Sequence, residues 1–188
     1  VKLEKLFLSG FSYVDTPDQV RAWEEISSDL SSESPMDRLL CGDVGFGKTE
    51  LAIRAAFRAV LSKKRVVVLA PTTILAGQLY SSFSSRLENN AVSVEMVSRF
   101  RSRSVISKIK KLVLEGKNDV LVGTHALLND DIYINNIGLL IVDEEHRFGV
   151  VHKEKIKRFK ASVDVLSMSA TPIPRSMNLA LSGIYSIS

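Results

Sequence analysis

The chain has 188 residues, of which 45% are hydrophobic and 24% charged, a balance typical of one globular domain. No segment approaches the roughly 20 consecutive apolar residues of a membrane span, so the sequence predicts no membrane partner. The net charge of +4 is a weak indication of a polyanionic partner. The single cysteine, Cys41, excludes an intrachain disulfide, and three histidines without zinc-site spacing predict no structural metal.

Short apolar segments alternate with helical patterns along the chain. We predict a lead-in segment at residues 1–10 and one domain at residues 11–188. Thr16, Pro17 and Gln19 predict a helix start with a capping box. The predicted helices span 17–30, 48–61, 74–87, 105–115 and 151–159, and the predicted strands span 38–41, 65–70, 92–97, 119–122, 139–142 and 163–168. This alternation predicts an α/β fold with a mostly parallel sheet and helices on both faces.

The phosphate-binding loop is the strongest motif in the sequence. Residues 42–49 read Gly-Asp-Val-Gly-Phe-Gly-Lys-Thr and match G-x-x-x-x-G-K-[ST] between a predicted strand and a predicted helix. Glycines let the backbone wrap around phosphate oxygens, and the N–H groups of the helix start favour their negative charge. The motif predicts that Lys48 lies beside the β- and γ-phosphates of a nucleotide and that Thr49 ligates Mg²⁺. The alternative is a glycine-rich turn that arose by chance.

Two acids follow directly after the buried strand at residues 139–142. Ligands of open α/β sheets bind at the carboxyl ends of the strands, where Asp143 and Glu144 are predicted to lie. We expect Asp143 to hold Mg²⁺ and Glu144 to orient and deprotonate an attacking water. An acidic loop after a strand is common, but its pairing with a phosphate-binding loop favours catalysis.

Two stretches of the chain are strongly basic. Residues 99–111 contain six cations and no acid, and residues 147–160 contain Glu154 as their only acid. Such stretches are either solvated helix faces or surfaces that contact a polyanion. Composition alone leaves both interpretations open.

Three segments together resemble motifs I, II and III of superfamily 2 helicases and translocases. They are GDVGFGKTE at 42–50, DEEHRFGV at 143–150 and SATPIPR at 169–175. Within the superfamily they are most similar to the transcription-repair coupling factors, with the branch-migration helicases of replication-fork repair second. Phe46, Glu50 and Glu145 favour the first group. The resemblance implies the first RecA-like P-loop NTPase lobe of a motor, with ATP and Mg²⁺ as cofactors.

The resemblance also implies roles for further residues. Phe11 is expected to pack on adenine and Gln19 to bond its edge, although a core aromatic and a capping glutamine are the alternatives. The nucleotide-binding set is Phe11, Gln19, Gly42, Asp43, Val44, Gly45, Phe46, Gly47, Lys48, Thr49 and Glu50. The residues expected to couple nucleotide to DNA are His146, Ser169, Ala170 and Thr171. The expected DNA-backbone contacts are Pro71, Thr72, Thr73, Arg99, Phe100, Arg101, Gly123, Thr124 and His125.

The resemblance implies partners as well. We expect sequence-independent binding to the backbone of double-stranded DNA, in a bacterial cytoplasmic protein associated with the nucleoid. RNA polymerase and a damage-recognition protein are expected to bind through regions outside this chain. The second RecA-like lobe supplies an arginine worth roughly 10³–10⁵ in rate in related enzymes. That lobe is absent from these residues, so we expect the chain alone to bind nucleotide weakly and hydrolyse it poorly.

Two other classes of protein fit the sequence less well than a translocase. A small-molecule P-loop kinase is disfavoured, because no lid or acceptor pocket is readable and Glu144 suits water better than a substrate hydroxyl. An inactive interaction module is disfavoured by the intact Lys48, Thr49, Asp143 and Glu144.

Overall fold

The computed structural model describes residues 2–11, 14–97, 115, 118–128, 134–170 and 186–187. Its helices are α1 Lys2–Ser9, α2 Pro17–Asp29, α3 Lys48–Leu61, α4 Thr73–Leu87 and α5 Val150–Phe159. Its strands are β1 Asp37–Cys41, β2 Arg65–Leu69, β3 Val94–Val97, β4 Val120–Gly123, β5 Ile137–Asp143, β6 Asp164–Ser169 and β7 Ser186–Ile187. Short 3₁₀ turns span Glu88–Asn90, His125–Leu128 and Glu145–Arg147. Apart from residue 115, the predicted helix at 105–115 lies outside the described residues.

All strands belong to one sheet, in the order β3-β4-β2-β5-β6-β1-β7, and every neighbouring pair is parallel. The predicted α/β class and the six predicted strands are confirmed, and β6 lies between β1 and β5. In this register Cys41 pairs with Ser169 and Asp143 pairs with Met168. The carboxyl ends of the three strands therefore lie at one edge of the sheet.

The central strands are buried on both faces, which explains their continuously apolar sequence. In β2, Val66 and Val68 pack with the core that α1 to α4 form on one face. Val67 and Leu69 pack on the opposite face, with Ile156 of α5. The sheet is therefore the middle layer of three, as the strand–helix alternation predicted.

Local capping fixes where the helices begin. The Thr16 hydroxyl accepts a hydrogen bond from the Gln19 N–H, and the Gln19 side chain accepts one from the Thr16 N–H, so the predicted capping box is present. Thr72 caps α4 through the Leu75 N–H. Of the helices in the described part of the chain, none is both long enough and apolar enough to cross a membrane.

Most of the predicted lead-in segment is a packed helix. Phe7 of α1 is 2% exposed, and its ring stacks on Phe57 of α3 with centroids 4.2 Å apart. Leu3 and Leu6 on the outer side of α1 are 61% and 67% exposed. The sequence pattern did not predict this helix, because eight residues with a partly exposed apolar face give a weak helical signal.

Replacing Phe7 by alanine tests whether α1 is part of the cooperative fold. We expect Phe7→Ala to lower the free energy of unfolding by about 3 kcal/mol, because it removes a buried aromatic ring and leaves a cavity. Leu3→Ala is the matched control on the exposed side of α1 and should change it by less than about 0.5 kcal/mol. Urea unfolding of the chain measures both. Equal effects of the two substitutions would show that α1 does not pack as described.

Candidate nucleotide-binding site

The two predicted motifs meet at the carboxyl edge of the sheet. The phosphate-binding loop leaves β1, and its Gly42 N–H donates to the Ser169 carbonyl at the end of β6, with an N···O distance of 3.3 Å. On the other side of β6, the Glu144 N–H donates to the Met168 carbonyl at 2.8 Å. The last residues of β6 therefore join the phosphate-binding loop to the acid pair.

The loop has the backbone shape that its glycines were predicted to permit. Gly45 and Gly47 both have φ of +88°, which side chains with a Cβ rarely adopt. A Cβ on Gly47 would also lie 2.6 Å from the Gln19 amide nitrogen. The Lys48 ammonium reaches back across the loop and donates to the carbonyls of Gly42 and Asp43, at 2.6 and 2.9 Å.

The first turn of α3 is suited to bind an anion. Gly47 is its N-cap, and no side chain of the described residues caps it. The N–H groups of a helix start carry partial positive charge and bind phosphate. Lys48 and Thr49 are the first two residues of this helix, and both are half-buried. The start of α3 thus combines a lysine, a threonine and backbone N–H groups.

Asp143 lies in an environment that disfavours its negative charge. Burial, followed by repulsion from Glu144, raises its pKa to about 6, although Lys48 and Arg147 lower it. The influence of Lys48 shows that the loop and the acid pair lie close enough to interact electrostatically. A cation bound beside Asp143 would favour the ionised carboxylate, and a carboxylate oxygen is a ligand that Mg²⁺ prefers.

Glu144 is held so that one carboxylate oxygen stays available. Its backbone has φ of 50° and ψ of 52°, a left-handed conformation that costs a non-glycine residue about 1–2 kcal/mol. Its Oε1 accepts from the Ala170 N–H at 3.0 Å. Its Oε2 is buried and has no hydrogen-bond partner within the described residues, although His146 Nδ1 lies 3.3 Å away without hydrogen-bond geometry. Oε2 is therefore available to accept a hydrogen bond from a bound group.

The predicted adenine residues lie at the side of the loop. The Gln19 amide oxygen accepts from the Thr16 N–H, and its nitrogen donates to the Phe46 carbonyl at 2.6 Å. Gln19 is therefore the capping glutamine of the alternative interpretation and also ties α2 to the phosphate-binding loop. Phe11 is half-buried, with two guanidinium groups near its ring. The adenine role of both residues stays a prediction.

The predicted DNA contacts have mixed exposure. Pro71, Thr72 and Thr73 follow β2 at the same edge of the sheet as the phosphate-binding loop, and Thr72 is exposed. Gly123 and Thr124 are buried, whereas the His125 ring packs against His152 with centroids 4.3 Å apart. Their DNA contacts stay predictions. The predicted residues that lie outside the described part of the chain are Arg99, Phe100, Arg101 and Thr171.

Sequence reasoning missed two groups of polar contacts around the site. Glu145 accepts from the buried Ser167 hydroxyl at 2.5 Å, and the Lys160 ammonium lies 3.7 Å from the same carboxylate oxygen. A serine in the middle of an apolar strand was the signal for this contact. In the second group, Glu50 is paired with Arg54 of the same helix at 3.2 Å. The i, i+4 spacing of these two residues was the signal there.

The chain is similar to known proteins over almost its whole length. The chain matches the DEAD/DEAH box helicase family over residues 16–179. It is 54% identical to the transcription-repair-coupling factor of Escherichia coli (strain K12) over 184 residues, 98% of this chain and 16% of that protein. It is 49% identical to the transcription-repair-coupling factor of Bacillus subtilis (strain 168), over 100% of this chain and 16% of that protein. The described chain thus spans about a sixth of the length of these relatives.

A solved structure of RecG bound to a three-way DNA junction superposes with a TM-score of 0.86. It is 39% identical in sequence, and the alignment covers 99% of this chain and 25% of that one. A structure of Saccharomyces cerevisiae Dbp5, at 15% identity and a TM-score of 0.65, shares the fold. The fold and the family match define a RecA-like helicase lobe that binds nucleotide. This chain belongs to the DEAD/DEAH box helicase family.

The raised pKa of Asp143 predicts how pH affects stability. The pKa is about 6 in the folded chain and near its usual 3.8 in the unfolded chain, so the folded state binds more protons between these values. Without nucleotide or cation, stability should therefore fall as pH rises from about 4 through 6. We expect Asp143→Asn to raise the melting temperature at pH 8 and to leave it nearly unchanged at pH 4.

Glu24→Gln, which neutralises an exposed carboxylate of α2, is the control for this experiment. It should leave the difference between the melting temperatures at pH 8 and pH 4 as it is in the unsubstituted chain. Thermal unfolding followed by circular dichroism measures each variant. If Asp143→Asn instead lowers the melting temperature at pH 8, the ionised carboxylate stabilises the site.

Proposed function

We propose that this chain binds and hydrolyses ATP as one lobe of a translocase on double-stranded DNA. The observation that carries the proposal is the convergence of Lys48, Asp143 and Glu144 at one edge of the sheet. The Lys48 ammonium and the N–H groups at the start of α3 are complementary to a nucleotide triphosphate, and the acid pair is complementary to its cation. The second supporting observation is the buried Oε2 of Glu144, which has no hydrogen-bond partner within the described residues.

In this proposal the phosphate-binding loop holds the triphosphate. The N–H groups at the start of α3 bind phosphate oxygens, and the Lys48 ammonium exchanges its bonds to Gly42 and Asp43 for bonds to the β- and γ-phosphates. Phe11 packs on the adenine ring and Gln19 bonds its edge. Because Gln19 also bonds the Phe46 carbonyl, recognition of the base is connected to the shape of the loop.

Glu144 acts as the general base. Its Oε2 takes a proton from the water that attacks the γ-phosphate, while the Ala170 N–H keeps Oε1 in place. The hydrogen bond from Ala170, which directly follows β6, also connects this strand to the Glu144 carboxylate. Through it, Ser169, Ala170 and Thr171 would transmit the state of the nucleotide, with His146 beside Glu144 as a second connection.

Thr49 and Asp143 are the residues that would hold Mg²⁺. Both offer oxygen, the atom that Mg²⁺ prefers, and no cluster of three His, Cys, Asp or Glu that could form a metal cage occurs in the described residues. Mg²⁺ with few protein ligands is typical of nucleotide sites, where phosphates and waters complete the coordination. The ion would supply neutralisation of the charge that develops on the phosphates.

The proposed role of the full-length protein in DNA repair is based on the named relatives and on the two positively charged stretches of the sequence. Transcription-repair-coupling factors are about 50% identical over the whole chain, which supports removal of a stalled RNA polymerase from damaged DNA in the bacterial cytoplasm. A damage-recognition protein and a second RecA-like lobe would act through other regions of the polypeptide. The RecG structure supports the second candidate, a branch-migration helicase. An assay of the full-length protein distinguishes the two candidates: displacement of RNA polymerase without migration of DNA junctions favours the first.

Glu144→Gln tests the assignment of the general base. The substitution keeps the shape of the side chain but cannot accept a proton, so we expect turnover in the full-length protein to fall by at least about 100-fold. The dissociation constant for ATP should stay within about threefold, because the phosphate contacts remain. DNA-stimulated phosphate release and calorimetric ATP binding measure the two effects.

Glu154→Gln is the matched control, since it removes an exposed carboxylate on α5. It should change neither turnover nor ATP binding. Retained turnover in Glu144→Gln would remove Glu144 from the role of base, and loss of ATP binding would mean that its charge holds the nucleotide site together.

Replacing Arg99 and Arg101 together by alanine tests the DNA interface proposed from the sequence. We expect weaker binding of duplex DNA by the full-length protein and a salt dependence whose slope falls by up to about 2, because each lost phosphate contact removes about 0.9. The exposed Arg21 of α2 provides the control, and Arg21→Ala should leave the slope unchanged. Fluorescence anisotropy at several salt concentrations gives the slope. An unaltered slope in the double variant would show that Arg99 and Arg101 do not contact DNA phosphates and would favour the alternative of a solvated surface for residues 99–111.

A further inference from the structure

An ionic network centred on the buried Arg54 lies beside the phosphate-binding loop. Arg54 of α3 is 3% exposed, and its two terminal nitrogens donate to both carboxylate oxygens of Asp15, at 2.7 and 2.9 Å. Its Nε donates to Glu50 at 3.2 Å. Arg86 of α4 donates to the two oxygens of Glu50 at 3.3 and 3.1 Å. Two guanidinium groups thus share Glu50, the residue that directly follows Thr49.

Phe11 is in contact with both of these arginines. The central carbon of the Arg54 guanidinium lies 5.1 Å from the centroid of the Phe11 ring, and that of Arg86 lies at 5.6 Å. Both distances fall within the roughly 6 Å over which a cation is attracted to an aromatic face. Arg86 also donates to the Phe7 carbonyl at 3.2 Å and lies 4.4 Å from the Phe7 ring. The network therefore connects Phe11 with α1, α3 and α4.

The network explains how an aromatic ring on a short connection can be held in place. Phe11 is half-buried and lies on the connection between α1 and α2, where its N–H donates to the Leu8 carbonyl at 3.1 Å. Guanidinium groups are planar and form several directed hydrogen bonds, so they hold a defined position when their carboxylate partners are fixed. Glu50 is fixed because it belongs to the first turn of α3, where its N–H donates to the Gly47 carbonyl.

We propose that Arg54 and Arg86, held by Asp15 and Glu50, are positioning residues that orient Phe11 for the adenine base and join it rigidly to the phosphate-binding helix. This inference rests on the proposed function, in which Phe11 contacts adenine. It adds that the base contact depends on residues of α3 and α4 that do not touch the nucleotide. Removing a hydrogen bond of the network should weaken binding of the adenine base and leave binding of the phosphates unchanged.

Arg86 is the residue at which to test this proposal. Arg54 is nearly fully buried, and its removal would leave two carboxylates without that partner, whereas Arg86 is 19% exposed and leaves Glu50 paired with Arg54. The measurement is calorimetric binding of ATP and of inorganic tripolyphosphate, each with Mg²⁺, to the full-length protein. Tripolyphosphate has the phosphates but no base, so the ratio of the two dissociation constants reports on base recognition alone.

We expect Arg86→Ala to weaken ATP binding about threefold to tenfold. The dissociation constant for tripolyphosphate should stay within about twofold, since the phosphate contacts are unaltered. Phe11→Ala should weaken ATP binding about tenfold and also spare tripolyphosphate. In the Phe11→Ala background, Arg86→Ala should have no further effect on the ratio, because both changes act through the same ring.

The control variant and the outcomes that would contradict the proposal are judged by the ratio of the dissociation constants for ATP and tripolyphosphate. Arg21→Ala removes an exposed arginine from α2 and should leave both ligands bound as in the unsubstituted protein. Equal weakening of ATP and tripolyphosphate by Arg86→Ala, or no weakening of either, would overturn the positioning role. If Arg86→Ala fails to fold, Arg86→Lys keeps the charge but loses the fork of hydrogen bonds, and it should show a smaller change of the ratio in the same direction. An unchanged ratio in Phe11→Ala would instead refute the proposed adenine site itself.

Discussion

The parallel pairing of β1, β6 and β5 is the constraint on which the site depends. Because parallel strands bring their carboxyl ends to one edge, segments about 100 residues apart in sequence meet there without any further requirement. The phosphate-binding loop leaves β1, and the acid pair leaves β5. The end of β6 bonds to both, through the Ser169 and Met168 carbonyls. A change in the register of β6 would therefore displace the two halves of the site together.

This dependence explains why the general plan of the site was predictable from sequence. Buried parallel strands have continuous apolar sequences, and the glycine and lysine spacing of the loop is set by phosphate geometry, so both leave local signals. The capping box at Thr16 is equally local, since it needs only residues three positions apart. For the same reason the boundaries of α3 and α5 were predicted to within one residue.

What sequence did not predict depends on contacts between distant segments. The helix α1 is short, and its stability comes from the Phe7–Phe57 stack, which no local pattern announces. The pairing of Arg86 with Glu50 joins two helices, and Arg86 reads in sequence as an ordinary surface cation of an amphipathic helix. Gln19 shows the same limit, because its capping role is visible locally but its bond to the Phe46 carbonyl requires the fold.

The energetics of the site follow from what it must bind. Asp143 and Glu144 are adjacent, half-buried carboxylates. Partial burial, followed by repulsion from Glu144, raises the pKa of Asp143, and Glu144 also adopts a left-handed backbone conformation. Each feature destabilises the chain by itself, and local strain of this kind persists only where the surrounding structure enforces it. Here the backbone bond from Glu144 to Met168 and the bond from Ala170 to Glu144 enforce it. A divalent cation bound with a triphosphate would offset the repulsion at Asp143. Binding of this ligand should therefore stabilise the folded chain.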